Sequence, residues 1–399
     1  MLVLPGMSVM PKVTGALALG LAVMTAVLSG RFRRVHPFQL MALLFVLWAG
    51  VVLLIVGGAK LPNKYWTWPQ LLLVAWMIWE LAPSANRVRG LLTAYVFGAY
   101  VAVLNTLLLY RREAGALRRF AAGGADPNDL AMVLALGIPM AWYLGTVYHR
   151  PLLRWACRAY LPAAVVAVGL TGSRGGLLAT TVALLIVPLS MTRLSPGRLA
   201  AAISMLALAG ILAVAYTPDR LVQRFASTGT ELEGGLGGRG RLWRAGLEAF
   251  TQRPLVGYGT GGFRVAITPM LGENVQVAHN SFISVMVEQG AIGLLIYLAM
   301  LAAVLLSAYR LRHLERRFAL VLLATLLMAM LPLTWEDRRA AWVVLSTVTG
   351  LAAVGASGGL VPRQPSPARA PTLRGRPKVT RPADRPTVPA QRRAGPASA

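Results

Sequence analysis

The residues of this chain best suited to chemistry are one histidine and a few arginines. His279 stands in VQVAHNSFISVMVEQGAIG, residues 275–293, just ahead of a long apolar run, and the chain has only four histidines. A neutral imidazole takes a proton from a hydroxyl group near physiological pH, which is the work of a general base. The plain alternative is a helix start, with Asn280 or Ser281 capping the apolar helix that follows. Glu288 lies nine residues further on, about two and a half turns into that helix. A carboxylate inside a membrane helix is expected to face the protein interior with a partner.

Two short stretches supply cationic partners. TGSRGG, residues 171–176, squeezes Ser173 and Arg174 into a loop of a few residues between apolar runs. That loop holds the guanidinium near the membrane interface, either as an anion clamp or as a snorkelling helix-end arginine. GGRGRLW, residues 237–243, places Arg239 and Arg241 at the start of an amphipathic helix expected over Gly240–Phe250. There Leu242, Ala245, Leu247 and Ala249 alternate with Arg241, Arg244 and Glu248, a pattern suited to the membrane surface. A helix N-terminus and two guanidinium groups favour an anion, and the competing reading is a solvated charged face. The glycines of LVGYGTGGF, residues 255–263, permit tight turns and a close approach of the backbone to a ligand. No Gly-Lys-Ser/Thr follows them, so this is a turn rather than a Walker phosphate loop.

These groups need a frame, and composition says which. Of 399 residues, 56% are hydrophobic, and the mean hydropathy is +0.60; this fits a multi-pass membrane protein, not a soluble domain. Runs long enough to span a bilayer as helices lie near 13–29, 38–57, 66–82, 91–110, 129–147, 155–171, 175–191, 199–216, 281–307, 318–333 and 341–357. The fold expected is therefore all-α, with about eleven membrane helices. Basic loops at 30–37, 83–90, 148–154, 192–198 and 308–317 belong on the cytoplasmic side. That places 58–65, 111–128, 172–174, 217–280 and 334–340 outside. His279 is then the only outward histidine, since His36, His149 and His313 fall in cytoplasmic loops. Arg111, Arg112, Arg118 and Arg119 run against the rule, lying on the outer side.

The organisation expected is membrane helices over 1–216, a long outer loop over 217–280, further helices over 281–357 and a tail over 358–399. The tail is rich in Pro and Arg, too poor in apolar residues to fold, and suited to anionic membrane lipids. The net charge of +26 is spread over loops and this tail, and we assign it to membrane lipids and not to nucleic acid. Cys157 is the only cysteine, which excludes an internal disulfide and a cysteine metal cluster. The 14 Asp and Glu are too scattered to suggest a carboxylate cage for a divalent cation.

Four segments in order, ADPNDLAMVLALGIP (125–139), TGSRGGLLA (171–179), GRLWRAGLEAFTQRPLVGYGTGGF (240–263) and AHNSFISVMVEQGAIGLLIYL (278–298), resemble the O-antigen ligase and polymerase family. The resemblance covers about 125–357. It implies a membrane glycosyltransferase of the all-helical GT-C type, working without metal or cofactor. Its site would face the outer side of the bacterial inner membrane. The donor would be a polyprenyl-diphosphate-linked glycan, and the acceptor a hydroxyl on a lipid or glycan. The family's key arginines fall on Arg174 and Arg241 and its histidine on His279, which would be catalytic. Ser173, Arg239, Asn280, Asn128 and Glu288 would line the substrate site. The chemistry agrees with the residues themselves: two arginines neutralise a departing diphosphate, and the chain has no Asp-X-Asp motif. A surface-polysaccharide polymerase shares every one of these motifs. A lipid-glycan or solute transporter is the reading from another class, but it predicts polar residues or helix breaks at the membrane midplane.

Overall fold

In the computed structural model, the described residues are chiefly 33–57, 62–113, 119–121, 124–190, 239–272 and 277–357, with isolated positions between 20 and 28 and between 197 and 211. Most of the expected spans at 13–29 and 199–216, much of the long loop and the basic tail lie outside them. Among the described residues all regular structure is helical: α1 (Pro37–Val56), α2 (Pro62–Leu81), α3 (Ala85–Glu113), α4 (Pro127–Val147), α5 (Pro151–Thr171), α6 (Arg174–Leu184), α7 (Ile186–Ser190), α8 (Arg239–Gln252), α9 (Phe263–Leu271), α10 (Ser281–Tyr309), α11 (His313–Met330) and α12 (Arg339–Ala356).

Six of these, α1, α3, α4, α5, α10 and α12, are long and apolar enough to cross a bilayer. With backbone polar groups satisfied within each helix, this is the arrangement a membrane interior permits. The protein is an all-α membrane protein. α2 and α11 are less apolar, α2 carrying Lys64 and Glu80 and α11 opening on His313, Glu315, Arg316 and Arg317. The single span expected at 175–191 is instead two helices, α6 and α7, broken at Leu185.

α4 is the axis of the bundle, buried from Leu130 to Gly145 except at the half-buried Val133. α3, α5, α6 and α11 surround it. Small residues allow that closeness. A Cβ on Gly176 would sit 2.4 Å from the Ala131 side chain, and one on Gly137 would meet the Tyr160 hydroxyl at the same distance. Tyr160 in turn donates to the Leu134 carbonyl (2.9 Å).

Contacts between loops sort them to two ends, as the alternation of basic loops anticipates. At one end Arg33 bonds Glu80 and the Trp79 carbonyl, His36 meets Ser307, and Trp142 donates to Ser190. At the other end are Lys64, the 119–121 strap, the start of α4, the end of α5, α8, α9 and the turns before α10 and α12.

α8 confirms the helix expected in the long loop. It buries Ala245, Gly246 and Ala249, while Leu247, expected on the apolar face, is exposed. Pro254 and a turn end it, and α9, which hydropathy did not reveal, follows.

Candidate functional site

His279 is held in an unusual backbone state. Its φ of 48° makes it the only positive-φ residue among the described positions that is not glycine, a conformation that side chains with a Cβ seldom adopt. The next residue does the capping: the Asn280 side chain accepts from the amides of Phe282 and Ile283 (2.9 and 3.0 Å). The His279 amide donates to Thr334 Oγ1 (3.1 Å). Ser281 donates to the Leu333 carbonyl and accepts from the Trp335 amide (3.0 and 2.7 Å). Trp243 of α8 donates to the Ala278 carbonyl (2.9 Å). The histidine corner is thus clamped between α8 and the turn that precedes α12.

That turn, residues 331–338, is the hub of the site. Pro332 packs on Gly175, where an added Cβ would lie 3.0 Å from its ring. Trp335 donates to Asp129 (2.8 Å), and Arg338 pairs with the same carboxylate (2.9 Å). Asp126 caps α4 by accepting from the amides of Asn128 and Asp129 (2.8 and 3.1 Å).

Burial lowers the proton affinity of the half-buried His279 ring, and the Arg239 charge lowers it further, against an opposing pull from Asp126 and Asp129. The imidazole is therefore held below its ordinary range, toward the neutral form that accepts a proton.

The other expected residues fall as follows. Ser173 is buried and caps α6, accepting from the Gly176 amide (3.2 Å); Arg174 is the first residue of that helix and half-buried. Asn128 accepts from Arg119 Nη2 (2.7 Å), and Arg119 Nε donates to the Thr171 carbonyl (2.8 Å). Arg239 is half-buried at the start of α8, whereas Arg241 is solvent-exposed. Of these two arginines, Arg239 is the one whose charge reaches His279. Glu288 has the interior partner its position demanded, Lys64, at 3.0 Å.

The glycine segment explains where Glu288 sits. α10 is broken at Gly290, which has φ 69° and ψ −173°. The carbonyls freed by the break are met by neighbouring donors: Tyr258 N to Val287 O (2.9 Å), Gly259 N to Glu288 O (2.8 Å) and Trp48 Nε1 to Gln289 O (2.9 Å). In return Ala291 N donates to Pro254 O (2.7 Å). The approach requires glycine on both sides. A Cβ on Gly257 would lie 2.5 Å from Val287 O, and one on Gly290 would lie 2.2 Å from Leu255 O. The close approach that the sequence suggested toward a ligand is made in the structure to α10.

Sequence reasoning missed Arg119, Lys64, Thr334, Trp335 and Glu336. Two of these had left a signal in the sequence. Arg119 was one of the arginines that broke the charge rule, and a basic residue on the wrong side invites a functional reason. Glu336 and Asp337 are adjacent acids in a short turn of a chain that has few.

Among the described residues, then, an all-helical membrane protein carries arginines, a half-buried histidine and a capped corner at one end of its bundle. Residues 159–298 match the family model described as O-Antigen ligase, so over this stretch the chain is similar to that family. The match takes in Ser173, Arg174, Arg239, Arg241, His279 and Glu288. No curated protein matches the chain. The likeness over 159–298 supports a membrane enzyme of the O-antigen ligase and polymerase type.

Proposed function

We propose that this chain transfers a glycan from a polyprenyl-diphosphate carrier to an acceptor hydroxyl at the outer face of the bacterial inner membrane. Within a GT-C-like arrangement of about eleven membrane helices, the His279 end of the bundle faces outward. Four regions play the parts set by their composition: helices over 1–216, the outer loop over 217–280, helices over 281–357 and the basic tail. Arg174, Arg241 and Arg239 hold the diphosphate, and His279 receives the acceptor proton. The acceptor oxygen forms a bond to the anomeric carbon as the bond from that carbon to the diphosphate oxygen breaks. The electron pair leaves with the polyprenyl diphosphate, and the proton stays on the imidazole. Charge growing on the leaving oxygens is what the guanidinium groups stabilise, so the step proceeds without metal. Asn128, Ser173, Asn280 and Glu288 shape the site, each with polar atoms engaged by the protein.

The observation that carries this reading is the clamped, half-buried His279 corner beside the start of α8, where burial first and the Arg239 charge second favour the neutral ring against the pull of Asp126 and Asp129. The test is transfer in proteoliposomes containing lipid-linked donor and a chelator. Wild type is expected to yield one glycosylated acceptor species. Full activity of both His279→Ala and Arg174→Ala would overturn the mechanism, and a ladder of lengthening chains would replace the ligase with a polymerase.

A further inference from the structure

We infer that Lys64 and Glu336 are positioning residues that hold the His279 corner in register with the glycine segment; the inference rests on the transfer reading above. Lys64 Nζ lies 3.0 Å from both carboxylate oxygens of Glu288, 3.1 Å from Glu336 Oε1 and 3.5 Å from Ser284 Oγ. Ser284 donates to the same Glu336 oxygen (2.7 Å), and the Gly261 amide donates to Glu288 Oε2 (2.9 Å). The Glu336 side chain is fully buried and that of Lys64 is 13% exposed.

Ion pairs this deep surrender hydration that their attraction barely returns, so they are weak sources of stability. They do fix one arrangement of whatever carries them. Here the carriers are four segments distant in sequence: the start of α2, the glycine segment, the first turns of α10 and the turn at 331–338. One ammonium ties them together.

The tie reaches His279 by a short route. Two residues before Glu336, Thr334 takes the His279 amide, and between them Trp335 bonds Ser281 and Asp129. On the far side of Glu336, its carbonyl accepts from Trp342 Nε1 (2.8 Å), anchoring the turn to α12. A histidine at φ 48° persists only where its surroundings over-determine it. The Lys64–Glu336 contact is the buried pin of those surroundings, and neither side chain touches the reacting atoms.

The test compares Lys64→Met and Glu336→Gln with the conservative Lys64→Arg in the full-length protein in proteoliposomes. A displaced base lowers kcat by about 10²-fold while donor KM stays within about twofold. Lys64→Arg is expected to restore most of the rate. A rise in donor KM at constant kcat in Lys64→Met would make Lys64 a ligand of the diphosphate and overturn the inference. So would unchanged kinetics in Glu336→Gln, which keeps shape while removing the charge and turning one acceptor oxygen into a donor. A second measurement needs no transfer at all: carbethoxylation of His279, read by peptide mass against His149 in the same sample. Changed reactivity at His279 alone supports the positioning role even if the transfer reading fails, and unchanged reactivity in active protein refutes it.

Discussion

The two ends of the bundle each place a histidine just before a helix, and they use it in opposite ways. His36 is an ordinary cap. Its φ is −89°, its Nδ1 accepts from the Phe38 amide, and Gln39 closes the capping box. Its Nε2 meets Ser307 (3.1 Å), and Trp79 lies against its ring. Both ring nitrogens are spent on holding α1. At His279 the cap is delegated to Asn280, and the histidine takes a left-handed backbone that no cap requires. The contrast extends to the chain around them. Among the described residues every positive-φ position, including Gly57, Gly124, Gly172, Gly257 and Gly290, belongs to the His279 side. Regular backbone at one end and irregular backbone at the other is the expected signature of a scaffold and a site.

The sharpest way to break this comparison is to delete each ring. His279→Ala is expected to lower transfer by about 10³-fold, within the range for removal of a general base, with little change in thermal midpoint. His36→Ala should leave kcat and KM in place. Equal losses of activity from both substitutions would mean that the two histidines share a structural role.

Next in size is the backbone itself. Gly290→Ala adds a Cβ 2.2 Å from the Leu255 carbonyl at a φ of 69°. Either conflict alone is destabilising, and together they are expected to cost about 3 kcal/mol, seen as a lowered unfolding midpoint in detergent. Gly98, in mid-α3 with nothing within 4 Å of an added Cβ, should accept alanine without loss. If Gly290→Ala were as mild as Gly98→Ala, the docking of the glycine segment on α10 would be wrong.

Much of the frame was readable in the sequence because hydropathy is a local signal. The starts of α4 and α10 fall at or close to the expected apolar runs, after the caps Asp126 and Asn280, whereas α5 begins at Pro151, ahead of the run expected from 155. The amphipathic α8 and the interior partner of Glu288 were also foreseeable, since a buried charge demands a counter-charge. The identity of that partner was not. Lys64 lies 224 residues from Glu288, and no periodicity links positions so far apart. The break at Gly290 was hidden for a related reason: an apolar run looks the same whether its helix is straight or interrupted. At Leu185 the sequence did carry a signal, because Pro188 has no amide to give the Leu184 carbonyl four residues back and its ring crowds that carbonyl. Arg119 was visible as an anomaly in the charge pattern, and only the contacts with Thr171 and Asn128 give the anomaly a reason.

A finer test concerns charge around the two rings. Arg239 disfavours the imidazolium form of His279, so transfer should fall as pH drops through a value below the usual ~6.5 of histidine. Removing that charge in Arg239→Gln raises the proton affinity, and the acid limb of the kcat profile is expected to move up in pH. An acid limb that moves down, or stays fixed while the rate changes, would detach Arg239 from the histidine.

The smallest effect belongs to the capping end, and it completes the contrast. Burial, with Arg310 and Arg33, lowers the proton affinity of His36. The folded state therefore binds fewer protons there than the unfolded chain. Its stabilising contribution is present above the unfolded value of ~6.5 and is lost as pH falls through the lower folded one. Protonation also removes the Nδ1 lone pair that accepts from Phe38. His36→Asn keeps an acceptor at the cap and abolishes the titration, so it should retain stability while flattening its pH dependence in that window. His36→Ala should lose about 1 kcal/mol at neutral pH, the usual worth of a helix cap. If His36→Asn behaved like His36→Ala, the ring would be acting through its contacts with Ser307 and Trp79 rather than as a cap.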